Sequence, residues 1–357
     1  MNNEATARHF HIDASRMLDH VMAIPDQIEK AWALSEHFIL PRGSDGTPLV
    51  ICGMGGSAIG GHLLDCLMGR NARTAVRIVK GYVLPAYVTS ETPVVCISYS
   101  GNTEEVLACF QFAQSKGCPV GIITSGGELA DEAVRTGVAT VTIPGGLPPR
   151  AAIGYLFTPL IRLVTNSGLY TVMDEEIASA IRRSRRLAAK YSLDGDPAEN
   201  TALQLTKKLY GKVPLVYSGN ELLSGVAYRW KCQLNENSKS MAFSNTFPEL
   251  GHNEVMGWDC PARLREDLFL VMLRDSQDHL QVQKRMEITF RELESEAGGA
   301  MIINSEGEDG KAGRLSRLLS VLILGDFTSV YLAVEYGKDP TPIERIETIK
   351  QLLRSED

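Results

Sequence analysis

Residues 47–61 read TPLVICGMGGSAIGG, an apolar strand that passes into a run of glycines before the helical pattern of residues 62–68. Glycines let a backbone approach an oxyanion without a Cβ clash, and the start of a helix presents unpaired N–H groups to it. Ser57 would add a hydroxyl donor. The spacing is neither that of a dinucleotide fingerprint nor that of a P-loop. The stretch therefore predicts either an anion site that includes Gly56 and Ser57, or only a tight strand–helix turn.

A second segment has the same character. The apolar run at residues 93–97 is followed by SYSGNTEE at residues 98–105, and then by an apolar helical pattern. Ser98, Ser100 and Thr103 place three hydroxyls around one glycine at a helix start, where neutral donors can surround a phosphate. The alternative is a capping box, which also pairs Ser or Thr with Glu. Because a cap needs only one hydroxyl, the segment favours phosphate binding.

Composition limits the classes of protein and partner. A chain of 357 residues is long enough for two domains. The net charge of -7, without a Lys/Arg run, argues against a nucleic-acid surface. The seven cysteines contain no CxxC pair, so neither a disulfide framework nor a zinc cluster is expected. The polar N-terminus lacks a signal core, and we find no apolar stretch that is long and charge-free enough to span a bilayer. We predict a soluble cytoplasmic protein.

The strand pattern occurs twice. The run at residues 48–53 has a counterpart at residues 214–219, and each is followed by short apolar runs that alternate with amphipathic ones. Such alternation predicts βαβ units, that is, two tandem doubly wound parallel-sheet domains of flavodoxin-like α/β type with helices on both faces. Ligands bind such sheets beyond the carboxyl ends of the strands, where both hydroxyl segments fall. The second copy reads NELL after its glycine, without a serine, so only the first domain is expected to hold phosphate.

These segments resemble the sugar isomerase (SIS) domain. The later runs NENSK at residues 235–239 and PELGHNE at residues 248–254 resemble one branch of it, the bifunctional phosphoglucose/phosphomannose isomerases. The resemblance covers nearly the whole chain from about residue 30. It implies two SIS domains in tandem, and the charged, helix-prone stretch at residues 174–198 indicates the connection between them. We therefore predict an N-terminal helical arm at residues 1–30, a phosphate-binding SIS domain at 31–170, a helical connection at 171–198, and a second SIS domain with a C-terminal helix at 199–357.

The resemblance also implies an activity, which is the interconversion of an aldose 6-phosphate and its 2-keto isomer through an enediolate. Phosphate binding is carried to Gly56, Ser57, Ser98, Ser100 and Thr103, and Glu236 becomes the base that moves a proton between C1 and C2. From the residues alone, Glu249 and Glu254 are equally plausible bases.

Three further residues complete the implied site. His252, whose unperturbed pKa lies near neutrality, would open the sugar ring and in related isomerases comes from the neighbouring subunit, so a homodimer is expected. Lys350 of the C-terminal helix would assist, although most lysines on such helices are only solvated. Arg150 would stabilise the enediolate, unless it is a surface arginine after a proline turn.

No metal or other cofactor is expected, because no ligand cluster has metal spacing and the enediol route needs none. The partners expected are a small sugar phosphate and a second copy of the chain, with neither nucleic acid nor membrane. Two other functions stay open: a non-catalytic sugar-phosphate sensor, and an SIS isomerase that acts on another sugar phosphate.

Overall fold

The computed structural model describes residues 10–305 and 312–356, and these residues form two parallel β-sheets flanked by helices. The predicted α/β fold class is confirmed. The first sheet contains β1 (Leu49–Gly53), β2 (Val76–Val79), β3 (Val94–Ser98), β4 (Val120–Thr124) and β5 (Ala139–Thr142). The second sheet contains β6 (Val213–Gly219), β7 (Phe243–Phe247), β8 (Leu268–Arg274) and β9 (Ala300–Asn304).

The helices alternate with these strands, and short 3-10 turns join several of them. In chain order the α-helices are α1 (Met17–Met22), α2 (Ile24–Leu34), α3 (Gly55–Met68), α4 (Glu104–Ser115), α5 (Gly127–Thr136), α6 (Ile153–Asn166), α7 (Asp174–Tyr191), α8 (Thr201–Leu209), α9 (Ser224–Glu236), α10 (Leu280–Leu293), α11 (Arg314–Glu335) and α12 (Glu344–Glu356). The boundaries predicted for the arm, the two domains and their connection stay predictions. Residues 1–9 of the predicted arm lie outside the described residues.

The first sheet is covered by apolar side chains on both faces. Leu49 and Ile51 point into one hydrophobic cluster, whereas Val50 and Cys52, which alternate with them, point into another. All residues of β1, β3 and β4 are buried, which explains why these strands read as unbroken apolar runs. The edge strands β2 and β5 are only partly buried.

The strand order explains the internal repeat. The sheets run β2-β1-β3-β4-β5 and β7-β6-β8-β9, so each copy of the repeated strand lies between the strand that follows it and the next one. In the first sheet, β2 is added on one side of β1 and β3 on the other, so the strand order reverses between β1 and β3. The loops after these two strands meet there, at the carboxyl edge of the sheet.

Helix α3 begins earlier than the sequence predicts. The sequence pattern predicts a helix at residues 62–68, after the glycine run, but the helix starts at Gly55, directly after Met54, whose backbone is extended. The glycines allow α3 to pack closely against other parts of the chain: a Cβ on Gly60 would lie 3.1 Å from the carbonyl oxygen of Leu156 in α6. Gly56 approaches the backbone of Arg150 in the same way, since a Cβ on Gly56 would lie 3.2 Å from it.

Helix α11 forms the centre of the second half of the molecule. By length and composition it could cross a membrane, so the prediction that no stretch meets this test is wrong. The helix is instead enclosed by protein, since 94% of its apolar window is buried and it packs against α7, α8 and α9. A helix that is covered on every side must be apolar on every side, whichever solvent surrounds the protein.

A buried ion pair joins α11 to α9. Arg229 donates to Asp326 through Nε at 3.0 Å and through Nη2 at 2.6 Å, and both side chains are only 1% exposed. The same Nη2 also donates to the backbone oxygen of Arg150 at 2.9 Å. The pair therefore fixes the loop that carries Arg150 as well as the two helices.

We expect Asp326→Asn to lower the free energy of unfolding by about 3–5 kcal/mol, because it leaves the guanidinium of Arg229 buried without a counter-charge. Urea denaturation measures the change. The control is Glu132→Gln, which removes the surface partner of Arg135 and should have little effect. The double variant Arg229→Met/Asp326→Leu should be more stable than Asp326→Asn. A fully stable Asp326→Asn protein would contradict the importance of the pair.

Candidate active site

A cleft of about 540 Å³ opens at the carboxyl edge of the first sheet. Its walls come from distant parts of the chain: the glycine stretch, the hydroxyl loop after β3, the turn at Pro149–Ala151, the end of α9, and α12. The predicted site residues that line it are Gly56, Ser57, Ser100, Thr103, Arg150, Glu236 and Lys350. Most of the residues that the sequence singled out thus share one cavity.

One wall of the cleft offers donors to an anion. Helices α3 and α4 both begin there, and neither has a side-chain hydrogen bond capping its first turn. The capping-box interpretation of the hydroxyl segment is therefore wrong. Thr103, at the N-cap position of α4, instead shares a hydrogen bond of 2.8 Å with the hydroxyl of Ser98. The N–H groups of the first two residues of each helix stay available to a bound anion, whereas those of Ser57 and Val106 donate to the carbonyls of the N-cap residues.

The hydroxyls on this wall differ in their surroundings. Ser100 is exposed in the cleft, and its oxygen accepts a bond from Asn102 N at 3.3 Å. Ser57 lines the cleft from a more buried position. Ser98 is 1% exposed and is not one of the lining residues, and its oxygen also accepts the N–H of Gly101 at 3.0 Å. Ser98 thus supports the loop from beneath.

Arg150 is a buried residue, so the alternative of a surface arginine is wrong. Its side chain is 3% exposed, and Nε donates to the amide oxygen of Asn237 at 2.6 Å. Nη2 donates to the backbone oxygens of Pro340 and Thr341 at 2.7 and 2.8 Å. Burial lowers the pKa of Arg150, whereas nearby Glu236 acts in the opposite direction. Nη1 remains directed toward the cleft, 3.8 Å from Oε2 of Glu236.

Two residues that the sequence analysis did not single out hold the turn that carries Arg150. The hydroxyl of Tyr99 donates to Pro144 O and accepts from Leu147 N, both at 2.9 Å. Gln27 of α2 donates to Ala151 O at 2.8 Å and accepts from the N–H of Gly154. Tyr99 lies inside the quoted hydroxyl motif and could have been noticed there. Gln27 gives no signal, because its partners are far away in sequence.

The three candidate glutamates are separated by their positions. Glu236 is the last residue of α9, and its side chain is 27% exposed to the cleft. Glu254 accepts hydrogen bonds from the hydroxyl of Tyr217 at 2.6 Å and from the side-chain amide of Asn245, so both of its carboxylate oxygens already have partners. Glu249 is exposed and accepts from Asn253. Of these three, Glu236 is the one that lines the cleft.

Lys350 and His252 are placed differently. Lys350 projects from α12 and lines the cleft together with Ile343, Ile346 and Leu353, which the sequence did not point out. His252 ends the short turn Glu249–His252 after β7 and is exposed, and it is not one of the residues that line the cleft of its own chain. Across residues 10–305 and 312–356, no group of three His, Cys, Asp or Glu side chains is arranged to hold a metal ion.

Known proteins resemble this chain over nearly its whole length. It is 40% identical over 338 residues to the bifunctional phosphoglucose/phosphomannose isomerase of Caldicellulosiruptor bescii, covering 94% of this chain and 98% of that protein. It is 36% identical over 307 residues to the protein of the same name from Aquifex aeolicus, covering 86% and 90%. Among solved structures, a hypothetical protein from Thermus thermophilus matches with a TM-score of 0.74 at 16% identity, covering 99% of this chain and 94% of that one.

A family profile supports the same assignment. The profile described as the bacterial phospho-glucose isomerase C-terminal SIS domain matches residues 198–353, which include Glu236 and Lys350. The match to the solved structure, at its low identity, supports the fold alone, whereas the sequence matches extend across both sheets. The chain therefore belongs to the family of the bifunctional phosphoglucose/phosphomannose isomerases.

Proposed function

We propose that the protein is an aldose–ketose isomerase that interconverts glucose 6-phosphate and mannose 6-phosphate with fructose 6-phosphate. One observation carries the proposal: Glu236 faces the guanidinium of Arg150 in a cleft whose opposite wall is built from two uncapped helix starts. A protein that only binds an anion needs the helix starts but not a carboxylate beside a guanidinium. The curated relatives carry both isomerase activities in their names.

The phosphate of the substrate binds at the starts of α3 and α4. The N–H groups of the first turns and the hydroxyls of Ser57, Ser100 and Thr103 donate to its oxygens, and Gly56 keeps the backbone open to them. Ser98 acts through Thr103, whose hydroxyl it orients. The anchored phosphate leaves the sugar extended toward α9 and α12.

Glu236 then moves the proton. Its carboxylate takes the proton from C2 of the open-chain aldose, which leaves the negative charge of the enediolate on O1. The carboxylate then returns the proton to C1, and the hydroxyl proton of O2 passes to O1 as the C2 carbonyl forms. Arg150 stabilises that negative charge, since its guanidinium is already desolvated and held by three other acceptors. The same contacts keep Arg150 from collapsing onto Glu236 as a close ion pair.

Ring opening is assigned to Lys350 and to His252 of the second subunit in a homodimer. The turn that carries His252 follows β7, which is an edge strand of the second sheet. Phe243 and Met256 near it are 50% and 70% exposed. An exposed apolar surface of this kind supports an interface between two copies, in which His252 would enter the partner's cleft. Location in the cytoplasm and the absence of nucleic-acid or membrane partners stay predictions.

A coupled assay tests the function. Fructose 6-phosphate is supplied to the purified protein, and formation of glucose 6-phosphate and of mannose 6-phosphate is followed separately, with and without a chelator. We expect both products and no effect of the chelator. Tight binding without either product would instead identify a sugar-phosphate sensor, and turnover of a different sugar phosphate alone would assign the other isomerase function.

The double variant Ser100→Ala/Thr103→Val should bind fructose 6-phosphate much more weakly, because each hydroxyl that no longer donates to a charged oxygen costs about 1.5–3 kcal/mol. Isothermal calorimetry measures the affinity, and circular dichroism checks that the fold persists. Ser115→Ala is the matched control, since that hydroxyl bonds only to Phe112 O within the same helix. Unchanged affinity in the folded double variant would remove the phosphate site from this loop.

Glu236→Gln should lower kcat by about 10²–10⁴-fold while fructose 6-phosphate still binds, because the amide keeps the shape of the side chain but cannot accept the proton. Glu249→Gln serves as the control and should retain turnover. If Glu236→Gln turns over normally and either Glu249→Gln or Glu254→Gln does not, the base has been assigned to the wrong glutamate.

Co-expressed His252→Ala and Glu236→Gln chains test the shared site. Each homodimer should be inactive, whereas a heterodimer should recover up to half of the wild-type turnover, because one of its two clefts contains both intact groups. Tandem affinity tags isolate the heterodimer before assay. A purified heterodimer as inactive as its parents would place His252 and Glu236 in the cleft of the same chain, or remove one of them from the mechanism.

A further inference from the structure

Lys239 adopts an unusual backbone conformation close to the cleft. It lies three residues after the end of α9, with φ of +55°, in the left-handed region. Among the described residues, Arg16 is the other non-glycine residue with positive φ. This conformation costs about 1–2 kcal/mol for a residue with a Cβ, and glycine commonly occupies it near helix ends. A lysine held there against that cost suggests that its side chain is needed at this place.

The side chain of Lys239 joins two segments. Nζ donates to Glu236 O at 2.6 Å, at the end of α9, and to Pro340 O at 3.0 Å. The oxygen of Pro340 also accepts from Nη2 of Arg150. Two cations thus converge on one carbonyl of the segment at residues 339–343, which leads into α12. A cation at a helix C-terminus is also favoured by the helix dipole.

Helix α12 depends on that segment for its position. Its apolar side chains are largely exposed, with Ile349 at 60% and Leu353 at 61%, so the helix itself packs only loosely on the rest of the molecule. Lys350, in its middle, nevertheless lines the cleft. The place of its ammonium relative to Glu236 is therefore set mainly where the chain enters α12, at the carbonyls of Pro340 and Thr341.

The charge on Lys239 does not favour folding. Although much of the side chain is exposed, partial burial of the ammonium and then the proximity of Arg150 lower its pKa to about 8 from an ordinary value of 10.5. Asp339, Glu236 and Glu344, which also face it, act in the opposite direction. Because the unfolded chain binds more protons between these two values, stability rises with pH across that window, and below it the ammonium is a net cost to the folded state.

We propose that Lys239 is a positioning residue whose ammonium fastens the entry of α12 to the end of α9, and so holds Lys350 opposite Glu236. The inference rests on the proposed function of these two residues, but the fastening itself can be measured without any turnover. The left-handed backbone and the lowered pKa both count against a lysine at this position, whereas its two hydrogen bonds join the segments that border the cleft.

Lys239→Met tests the proposal, since it removes the ammonium and keeps the length and the left-handed backbone. We expect kcat to fall at least tenfold, because a displacement of about 1 Å can cost 10²-fold in rate. The affinity for fructose 6-phosphate should change little, and the urea midpoint should be unchanged or higher. Hydrogen exchange of the amides at residues 344–356 should become faster. Lys338→Met, which removes an exposed charge from the neighbouring turn, is the matched control and should behave as wild type.

The pH profile adds a second variant. In the wild type, kcat should decline as pH rises through about 8, where Lys239 loses its charge. Lys239→Arg stays charged far above that pH, so it should keep substantial turnover and move the decline to higher pH. This arm remains informative if Lys239→Met fails to fold.

Three results would overturn the proposal: wild-type turnover in Lys239→Met, unchanged hydrogen exchange in α12, or an alkaline decline that stays in place in Lys239→Arg. A wild-type protein without isomerase activity would instead reject the proposed function. In that case the exchange measurement on Lys239→Met still decides whether the fastening exists.

Discussion

The buried guanidinium of Arg150 is the constraint on which the site depends. It contacts the end of α9 through Asn237 and the entry of α12 through two backbone oxygens. Arg229 in turn donates a hydrogen bond to the backbone oxygen of Arg150. A desolvated cation is stable only when its donors are satisfied and a counter-charge is near. The fold meets this requirement with carbonyls and leaves Glu236 at 3.8 Å as the counter-charge in the cleft. The site is therefore assembled around one residue.

The pair Arg229–Asp326 extends this constraint into the core. Asp326 lies in α11, so the central helix of the second half is coupled through two hydrogen-bonded cations to a cleft on the first sheet. This chain of contacts, from α11 through Arg229 to Arg150, holds the guanidinium beside Glu236 in one position. The role proposed for Arg150 requires such rigidity, because electrostatic stabilisation depends on groups that are already in place. Lys239 adds a second attachment for the same segment, the entry to α12.

The two sheets share a topology but differ in the chemistry of their carboxyl edges. After β3 the first sheet presents hydroxyls, whereas after β8 the second presents Asp275 and Asp278. The carboxylate of Asp278 packs against Gly219 at the end of β6, and burial together with Asp275 raises its pKa to about 7. Asp275 itself is paired with Arg317. Buried carboxylates thus follow β8 at the place where the hydroxyl loop follows β3 in the first sheet. This difference fits the expectation that only the first domain binds phosphate.

By itself the sequence determined the fold class and the repeated strands, because the apolar runs of buried parallel strands and the turns between them are visible in neighbouring residues. It could not place the start of α3 at Gly55. The glycines there are required by close contacts with α6 and with the turn that carries Arg150, and such contacts are not visible in the local sequence. The residues taken alone left Glu236, Glu249 and Glu254 equivalent, and only the tertiary structure showed that Glu236 lines the cleft and that Arg150 is buried. Its partners Asn237 and Pro340 lie 87 and 190 residues away, and a contact across such distances leaves no local pattern to read.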